Sequence, residues 1–483
     1  HEPRRSSPRG APMRTLKYTA IALAIAGLTG CATVNMDQSM ANLNETTASM
    51  TEKKVVLALN DEQRNQLRAQ ADELLKTPLG LNSTVELMLV NSPEFQALLA
   101  RGYSESALAA QSGRIPNPIF NFERITVGDE LEIGRLFSFG LLDLITLPWR
   151  QQAATFRIER AQLQLAGDVI GQVAQARSAW VDAVVALQKQ QYAEQVFENA
   201  QASAELAKRM EEVGNFTIIQ RIRQQMFYSD AALGLAMARQ EATSTREKLV
   251  RVLGLDAQQF EELKLPDRLP DLPAMVKKPE EVSKQATSRL DVQMAKQAYD
   301  AALKVSGAET VSSFVDIEAG IRRDSVFDRD SGSKTNPKGY ELDIRLPLFD
   351  WGGLRRDAFS AELLAKANTL EAVMRNVDSN LRESYTNYRT AYDIAKHYQT
   401  EVVPMLDTLA EQNTLRYNGM LIGTFELLAD SRNQVRSIES SIDASANFLR
   451  AQLALDAALM GSPSNVKLSM GTQSPAAEAA AGH

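Results

Sequence analysis

The chain has 483 residues, 44% of them apolar, a formal charge of −7 and one cysteine. The acid surplus argues against a nucleic-acid partner, because no basic excess is there to meet phosphates. A lone cysteine excludes an intrachain disulfide.

Residues 1–30 read as an N-terminal extension followed by a lipoprotein signal peptide. His1 to Pro12 precede Met13, which has the context of a start. Met13-Arg14-Thr15-Leu16-Lys17 is a positively charged opening, and Ile21 to Gly27 is an apolar core too short to span a membrane. Leu28-Thr29-Gly30-Cys31 then resembles the bacterial lipobox, in which the cysteine receives lipid and becomes the first mature residue. Ala32 in the next position points to sorting towards the outer membrane, since an aspartate there retains a lipoprotein at the inner one. No later segment holds 18 unbroken apolar residues, so any membrane crossing by the mature chain falls to strands.

Residues 31–80 form an N-terminal mature segment. Ala32 to Asn60 is polar and predicts extended or loosely packed chain, and Asp61 to Lys76 predicts a helix. Ser83 to Ser112 predicts another, ended by Gly113 and Pro116-Asn117-Pro118. A strand hairpin is predicted over 117–147, with Phe120 and Phe122 alternating with Asn121 and Glu123. A second follows over 312–347, where Tyr340-Glu341-Leu342-Asp343-Ile344-Arg345-Leu346 alternates completely. Period-two alternation puts apolar side chains on one face and charges on the other. A soluble sheet over a core would read this way, and so would a membrane barrel with lipid outside and water inside. Trp149 and Trp351 follow the two hairpins at matching points, where a ring at a membrane–water interface or a packed helix end would serve.

Each hairpin leads into a long helix, Gln151 to Val213 and Arg355 to Asn418, the second carrying Pro404, which predicts a kink. Both show apolar residues at mixed three- and four-residue steps, a coiled-coil-like pattern. A helix of roughly 60 residues would measure about 90 Å, about three hydrocarbon thicknesses. The helices turn at Gly214 and Gly419 and the returning helices end at Gly254 and Gly461. Leu147-Pro148-Trp149 answers Leu346-Pro347-Leu348, so a nearly constant offset of about 200 residues points to an internal duplication. The domains are thus a first repeat over 81–254, a Pro-rich linker over 255–280, a second repeat over 281–461, and a disordered tail over 462–483.

Several local motifs together resemble the TolC-type outer-membrane efflux proteins. They are Leu81-Asn82-Ser83-Thr84-Val85-Glu86-Leu87 with Asn91-Ser92-Pro93-Glu94-Phe95, then Arg114-Ile115-Pro116-Asn117-Pro118 before the first strand. Leu346-Pro347-Leu348-Phe349-Asp350-Trp351-Gly352-Gly353 resembles the strand-to-helix junction, and Arg416-Tyr417-Asn418-Gly419 with Phe425-Glu426-Leu427-Leu428 the periplasmic turn. The resemblance covers Leu81 to Gly461. It implies an α+β membrane protein in which a long, coiled-coil-like helical barrel is joined to four transmembrane strands per chain. Three chains would complete a 12-stranded β-barrel as a homotrimer, which closes the edges that lipid does not tolerate.

The resemblance also implies a passive channel for small toxic compounds or metal ions, with a periplasmic adaptor and an inner-membrane pump as partners. Its place would be the bacterial outer membrane, lipid-anchored through Cys31 and extending into the periplasm, with no cofactor beyond that lipid. Gly214 and Gly419 would lie at the periplasmic turns. Glu426 and Asp430 lie one helical turn apart, and threefold symmetry would multiply them into acidic rings at the mouth. In the family the second acid of this gate falls three residues after the first, which here is Ala429.

Two other readings compete. A lipid-anchored coiled-coil scaffold would account for the lipobox and helices but not for the alternating hairpins, and a channel for secreted polypeptide would fit the same duct. An enzyme is not expected: His397 is the only internal histidine, the methionines are scattered, and no metal set or phosphate-cradling loop occurs. Replacing Cys31 with Ser is expected to abolish acylation, read as loss of the lipid mass from the purified protein; a Cys31→Ser product that still carries lipid would remove the lipobox assignment.

Overall fold

In a computed structural model the chain is described over residues 34–280, 289–312, 317–346, 348–349 and 351–461. Cys31 and its signal segment, Pro347 and Asp350 of the second junction, and the tail from 462 lie outside those residues. Among the described residues the chain divides into two compact units, one holding 103–161 and 295–370, the other 37–102, 162–294 and 371–461.

The second of these units is helical. Its first helix, α1 (Met36–Thr51), replaces the loosely packed segment that the polar composition suggested. Ser39, Leu43, Thr47 and Met50 recur at helical spacing and are buried. Thr47 offsets its own burial, its Oγ1 donating to the Leu43 carbonyl at 2.8 Å. Asn44 then pins the returning chain, accepting from Val55 N at 2.6 Å and donating to its carbonyl at 3.0 Å. Helix α2 (Asp61–Leu74) starts at an Asn60 cap whose side chain accepts from Gln63 N. The helix expected over Ser83–Ser112 is two, α3 (Leu81–Asn91) and α4 (Pro93–Ser112). Ser92 between them is extended at ψ 117°, as steric pressure from a following proline favours.

The long helices are α5 (Leu141–Glu212), of 72 residues, and α6 (Ile218–Leu253). Helix α5 begins ten residues earlier than expected, so Leu141 to Leu147 are helical and the second strand of the first hairpin stops at Gly140. That run lacks the alternation that a half-exposed strand needs, and its early Asp143 is held by Arg150 at 2.9 Å. Gly254 ends α6 at φ +65°; a side chain there would also meet Ser92 Cα at 2.9 Å, so backbone angle and close approach both require glycine. The short α7 (Ala257–Glu262) lies inside the expected linker, and α8 (Leu290–Ser312) follows it.

The second long helix is interrupted. Helix α9 (Gly353–His397) passes through a π turn at Tyr398–Val402 into α10 (Val403–Asn418). The expected Pro404 kink is therefore a change in hydrogen-bond ladder: proline has no N–H for the ordinary bond, and a widened turn just before it accommodates the ring. The last helix, α11 (Thr424–Met460), ends at Gly461 with φ +80°, matching Gly254.

Two apolar clusters hold this unit. In the first, Trp180 is buried among Leu75, Leu79, Leu87, Phe95 and Leu249, and its indole N–H donates to the Leu79 carbonyl at 2.6 Å. In the second, the ring of Phe448 meets those of Tyr388 and Tyr392 at 5.6 and 5.5 Å. The tyrosine hydroxyls there strap down the Pro-rich linker, Tyr392 donating to the Pro273 carbonyl at 3.1 Å and Tyr385 to that of Lys277 at 3.2 Å.

The first unit carries an antiparallel sheet: β1 (Ile119–Val127), β2 (Glu130–Gly140), β3 (Ile317–Arg323), β4 (Ser325–Asp328), β5 (Lys334–Thr335) and β6 (Lys338–Ile344). Strand β2 pairs with β1 on one side and with β3 and β4 on the other. Beyond them, β6 pairs with β3 and β5 with β4 in one continuous register. The six strands thus fill four positions, with β1 at one edge and β5 and β6 at the other. Among the described residues neither edge has a further partner.

Removing the Phe448 ring would empty the centre of the aromatic cluster and loosen the linker strapped to it. Phe448→Ala is expected to cost about 3–5 kcal/mol of stability, read as a lower denaturant midpoint by circular dichroism; a change within error would mean the cluster is not a structural centre.

Candidate functional site

Two features could act on a ligand: the faces of the sheet and the turns between the long helices. On the sheet, the pairings determine which residues share a face. Phe120, Phe137, Ile321 and Tyr340 stand opposite one another in a single row across all four positions. Phe139, Ala319 and Leu342 form the next row, and Ile317 with Ile344 the one after. This face is open: Phe120 is 62% exposed, Ile321 66% and Tyr340 91%. A sheet laid over a soluble core would cover these side chains, so the alternation belongs to a sheet whose apolar face looks outward from the chain.

The opposite face is acidic. Glu123, Glu130, Glu132, Glu318, Asp328, Glu341 and Asp343 all lie on it. One base, Arg322, is in phase with them. It pairs with Asp324 at 2.8 Å, Glu123 at 3.5 Å, Glu132 at 3.9 Å and Glu341 at 4.0 Å, linking both hairpins. Sequence reading missed Arg322, although its parity with the acids of β3 was a usable signal.

In the helical unit both turns are closed by the same backbone device, in which an N–H reaches five residues back past a left-handed residue. In the first, Gly214 holds φ +76° and Asn215 N donates to the Met210 carbonyl at 2.8 Å. In the second, Leu421 N donates to the Arg416 carbonyl at 2.8 Å, and the left-handed residue is Met420 at φ +59°. Gly419 itself has φ −79°. The turn geometry therefore matches Gly214 to Met420, one residue beyond the glycine that the sequence repeat paired with it. An arginine–glutamate pair crosses each turn, Arg221 to Glu211 at 3.0 Å and Arg416 to Glu426 at 3.9 Å, with the order of charges reversed.

Glu426 is thus exposed and loosely paired, while Asp430 is half-buried and accepts from the amide of the buried Asn413. The two acids stand one turn apart on α11, and both are tied back to α10. The tryptophans sit in the sheet-bearing unit, Trp149 inside the first turns of α5 and Trp351 just before α9, 48% and 67% exposed.

A cavity of about 320 Å³ lies between α5, α6 and α11, lined among others by Lys189, Phe227, Gly234, Arg432 and Glu439. Burial pushes the Glu439 carboxyl above the usual carboxylate range, only partly opposed by Lys189. Burial, with Glu439 adding, pushes Tyr192 up to about 12. A cavity of about 660 Å³ includes Arg177, Lys277, Glu52 and Asp456 in its lining. Arg177 is lowered by burial, with Asp456 and Glu52 opposing, and it donates to the Met50 carbonyl at 3.1 Å. Among the described residues no group of three or more His, Cys, Asp or Glu could hold a metal ion.

Because the folded state raises the Glu439 affinity for its proton, the protonated acid favours the fold. Its contribution is full below the unfolded value of about 4.3 and is lost as pH rises through the folded one. Glu439→Gln is therefore expected to be more stable than the parent at neutral pH, with the difference vanishing in acid. Denaturant midpoints measured across pH check this, and a pH-independent difference would remove Glu439 as the cause.

No protein-family model and no curated protein matches the chain. Solved structures do. The outer membrane protein VceC of Vibrio cholerae aligns with TM-score 0.66 and 15% identity, over 81% of this chain and 96% of its own. The CmeC outer membrane channel of Campylobacter jejuni aligns with TM-score 0.61 and 12% identity, over 88% and 93%. The MtrE outer membrane channel of Neisseria gonorrhoeae aligns with TM-score 0.61 and 15% identity, over 80% and 89%. At these identities the likeness is one of fold, and the fold of this chain is that of the TolC-type outer-membrane channels, the family its motifs resemble.

Proposed function

We propose that the chain is the outer-membrane channel of a tripartite efflux system. In this reading it works as a homotrimer whose sheets close into a 12-stranded barrel. A periplasmic adaptor and an inner-membrane pump supply cargo and energy, and the channel itself is passive. The cargo is small toxic compounds or metal ions, and Cys31 carries a lipid anchor. One observation carries the proposal: an open sheet with an exposed apolar face, an acidic opposite face and two unpaired edges. Backbone groups at such edges would be unsatisfied in lipid, and identical copies supply the missing partners. The scaffold alternative leaves that face without a purpose.

The acidic face would line the barrel and favour cations over anions. In a trimer Glu426 and Asp430 would add rings of acids at the periplasmic turns that hold Gly214 and Gly419, with Trp149 and Trp351 near the membrane interface. Asp430 is the weaker candidate for a moving gate, since Asn413 already engages its carboxylate.

The test is single-channel conductance in a planar bilayer, with the oligomeric mass measured in detergent. Discrete cation-preferring steps from a trimer are expected, and the Glu426→Ala/Asp430→Ala variant should show a weaker cation preference and open more readily. A folded monomer that never conducts would overturn the channel reading. An unaltered double variant would overturn only the role of the two acids.

A further inference from the structure

The sheet register separates charge by sign. Every strand Asp and Glu lies on the acidic face, and every strand Lys and Arg except Arg322 lies on the other. Those bases are Arg124, Arg135, Arg323, Lys334 and Lys338. They are not scattered over the apolar face. The rows next to α5 and α9 are free of charge, and the bases are confined to the half next to the hairpin loops, where they stand among Phe122, Leu131, Ile133 and Phe327. Arg323 stands opposite Lys338, and Arg135, continuing the register of β2 with β3, stands opposite Arg323. This rung lies two residues, or about 7 Å, beyond the row of Phe120, Phe137, Ile321 and Tyr340.

Like charges directly opposite on a sheet repel. Within the described residues none of the five bases has a carboxylate partner. Arg135 Nη1 donates to Ser325 Oγ at 3.4 Å, and Lys334 Nζ lies over the Phe327 ring at 4.8 Å. Arg124, Arg323, Lys334 and Lys338 are exposed. A row of clustered cations above an apolar band is costly in hydrocarbon and favourable where phosphate begins. Pairing with further copies through the sheet edges would not cover it, because Arg135 and Arg323 belong to the two inner positions.

From this we infer that the loop-proximal belt of Arg124, Arg135, Arg323, Lys334 and Lys338 binds the phosphate groups of anionic membrane lipids around the barrel. The inference rests on the membrane-barrel reading of the sheet. It assigns a ligand class to the outward face, as distinct from the cargo path on the acidic face. The belt fixes the depth of the barrel by seating it at the phosphate plane, while the apolar rows reach into the hydrocarbon.

The full chain would be incorporated into vesicles containing equal amounts of phosphatidylcholine and phosphatidic acid, re-extracted in mild detergent, and weighed with its retained lipids by native mass spectrometry. The parent should keep phosphatidic acid in preference to phosphatidylcholine. Arg323→Gln/Lys338→Gln, at two exposed positions, should weaken that preference roughly fivefold for each cation lost. Arg322→Gln, on the other face, should leave it unchanged. Excess inorganic phosphate should not compete; if it does, the belt is a free-anion site and the inference fails. Equal retention of both lipids by an inserted, protease-protected parent would overturn this inference alone. Failure of the folded chain to insert would overturn it together with the barrel reading.

Discussion

A sheet has two edges, and the backbone groups along each need partners. Here the strands fill four positions, and the outer sides of β1 and of β5 with β6 are unpaired among the described residues. In water such edges can be hydrated; beside lipid they can only be paired. The exposed apolar rows turn this from a surface detail into a constraint, since they make water the wrong neighbour for one face. Closure by further copies would meet both demands at once.

The same period of two that separates apolar from polar also sorts charge. Acids line one face of the sheet, with Arg322 reaching four of them from both hairpins. This arginine bridges strands that lie far apart in the chain, so it ties the two hairpins together as well as moderating their charge. The remaining bases lie on the opposite face, at one end. One backbone alternation therefore produces an acidic path on one side and a banded apolar and basic surface on the other.

The two helical turns share a backbone device and differ in how they fill it. Both use a left-handed residue and an arginine–glutamate pair across the turn. In one the left-handed residue is glycine; in the other it is Met420, where a side chain carries steric strain that glycine would avoid. Glu426 enters this turn as a structural partner of Arg416 as well as a candidate for ion selection. The long helices differ too, since Pro404 brings a π turn with it while α5 runs on through Pro148, in its interior, without one.

Much of the architecture was legible in the sequence because it depends on local rules. Alternation identified the hairpins, apolar residues at three- and four-residue steps marked the long helices, and Gly254 and Gly461 marked the ends of the returning ones. Errors arose where local signals were weak or reversed by packing. Leu141 to Leu147 is mostly apolar, broken only by Asp143 and Thr146, and so has no period of two to mark a strand, and Met36 to Thr51 is polar by composition yet folds because a few spaced residues find the core. The site was less legible. Sequence alone placed Glu426 and Asp430 on one helix face, but only tertiary structure tied them to Arg416 and Asn413. Sequence determined which strand residues alternate. The pairing register, a long-range property, decided which residues of different strands share a face, and so brought the acids to Arg322 and the bases together at the loop end.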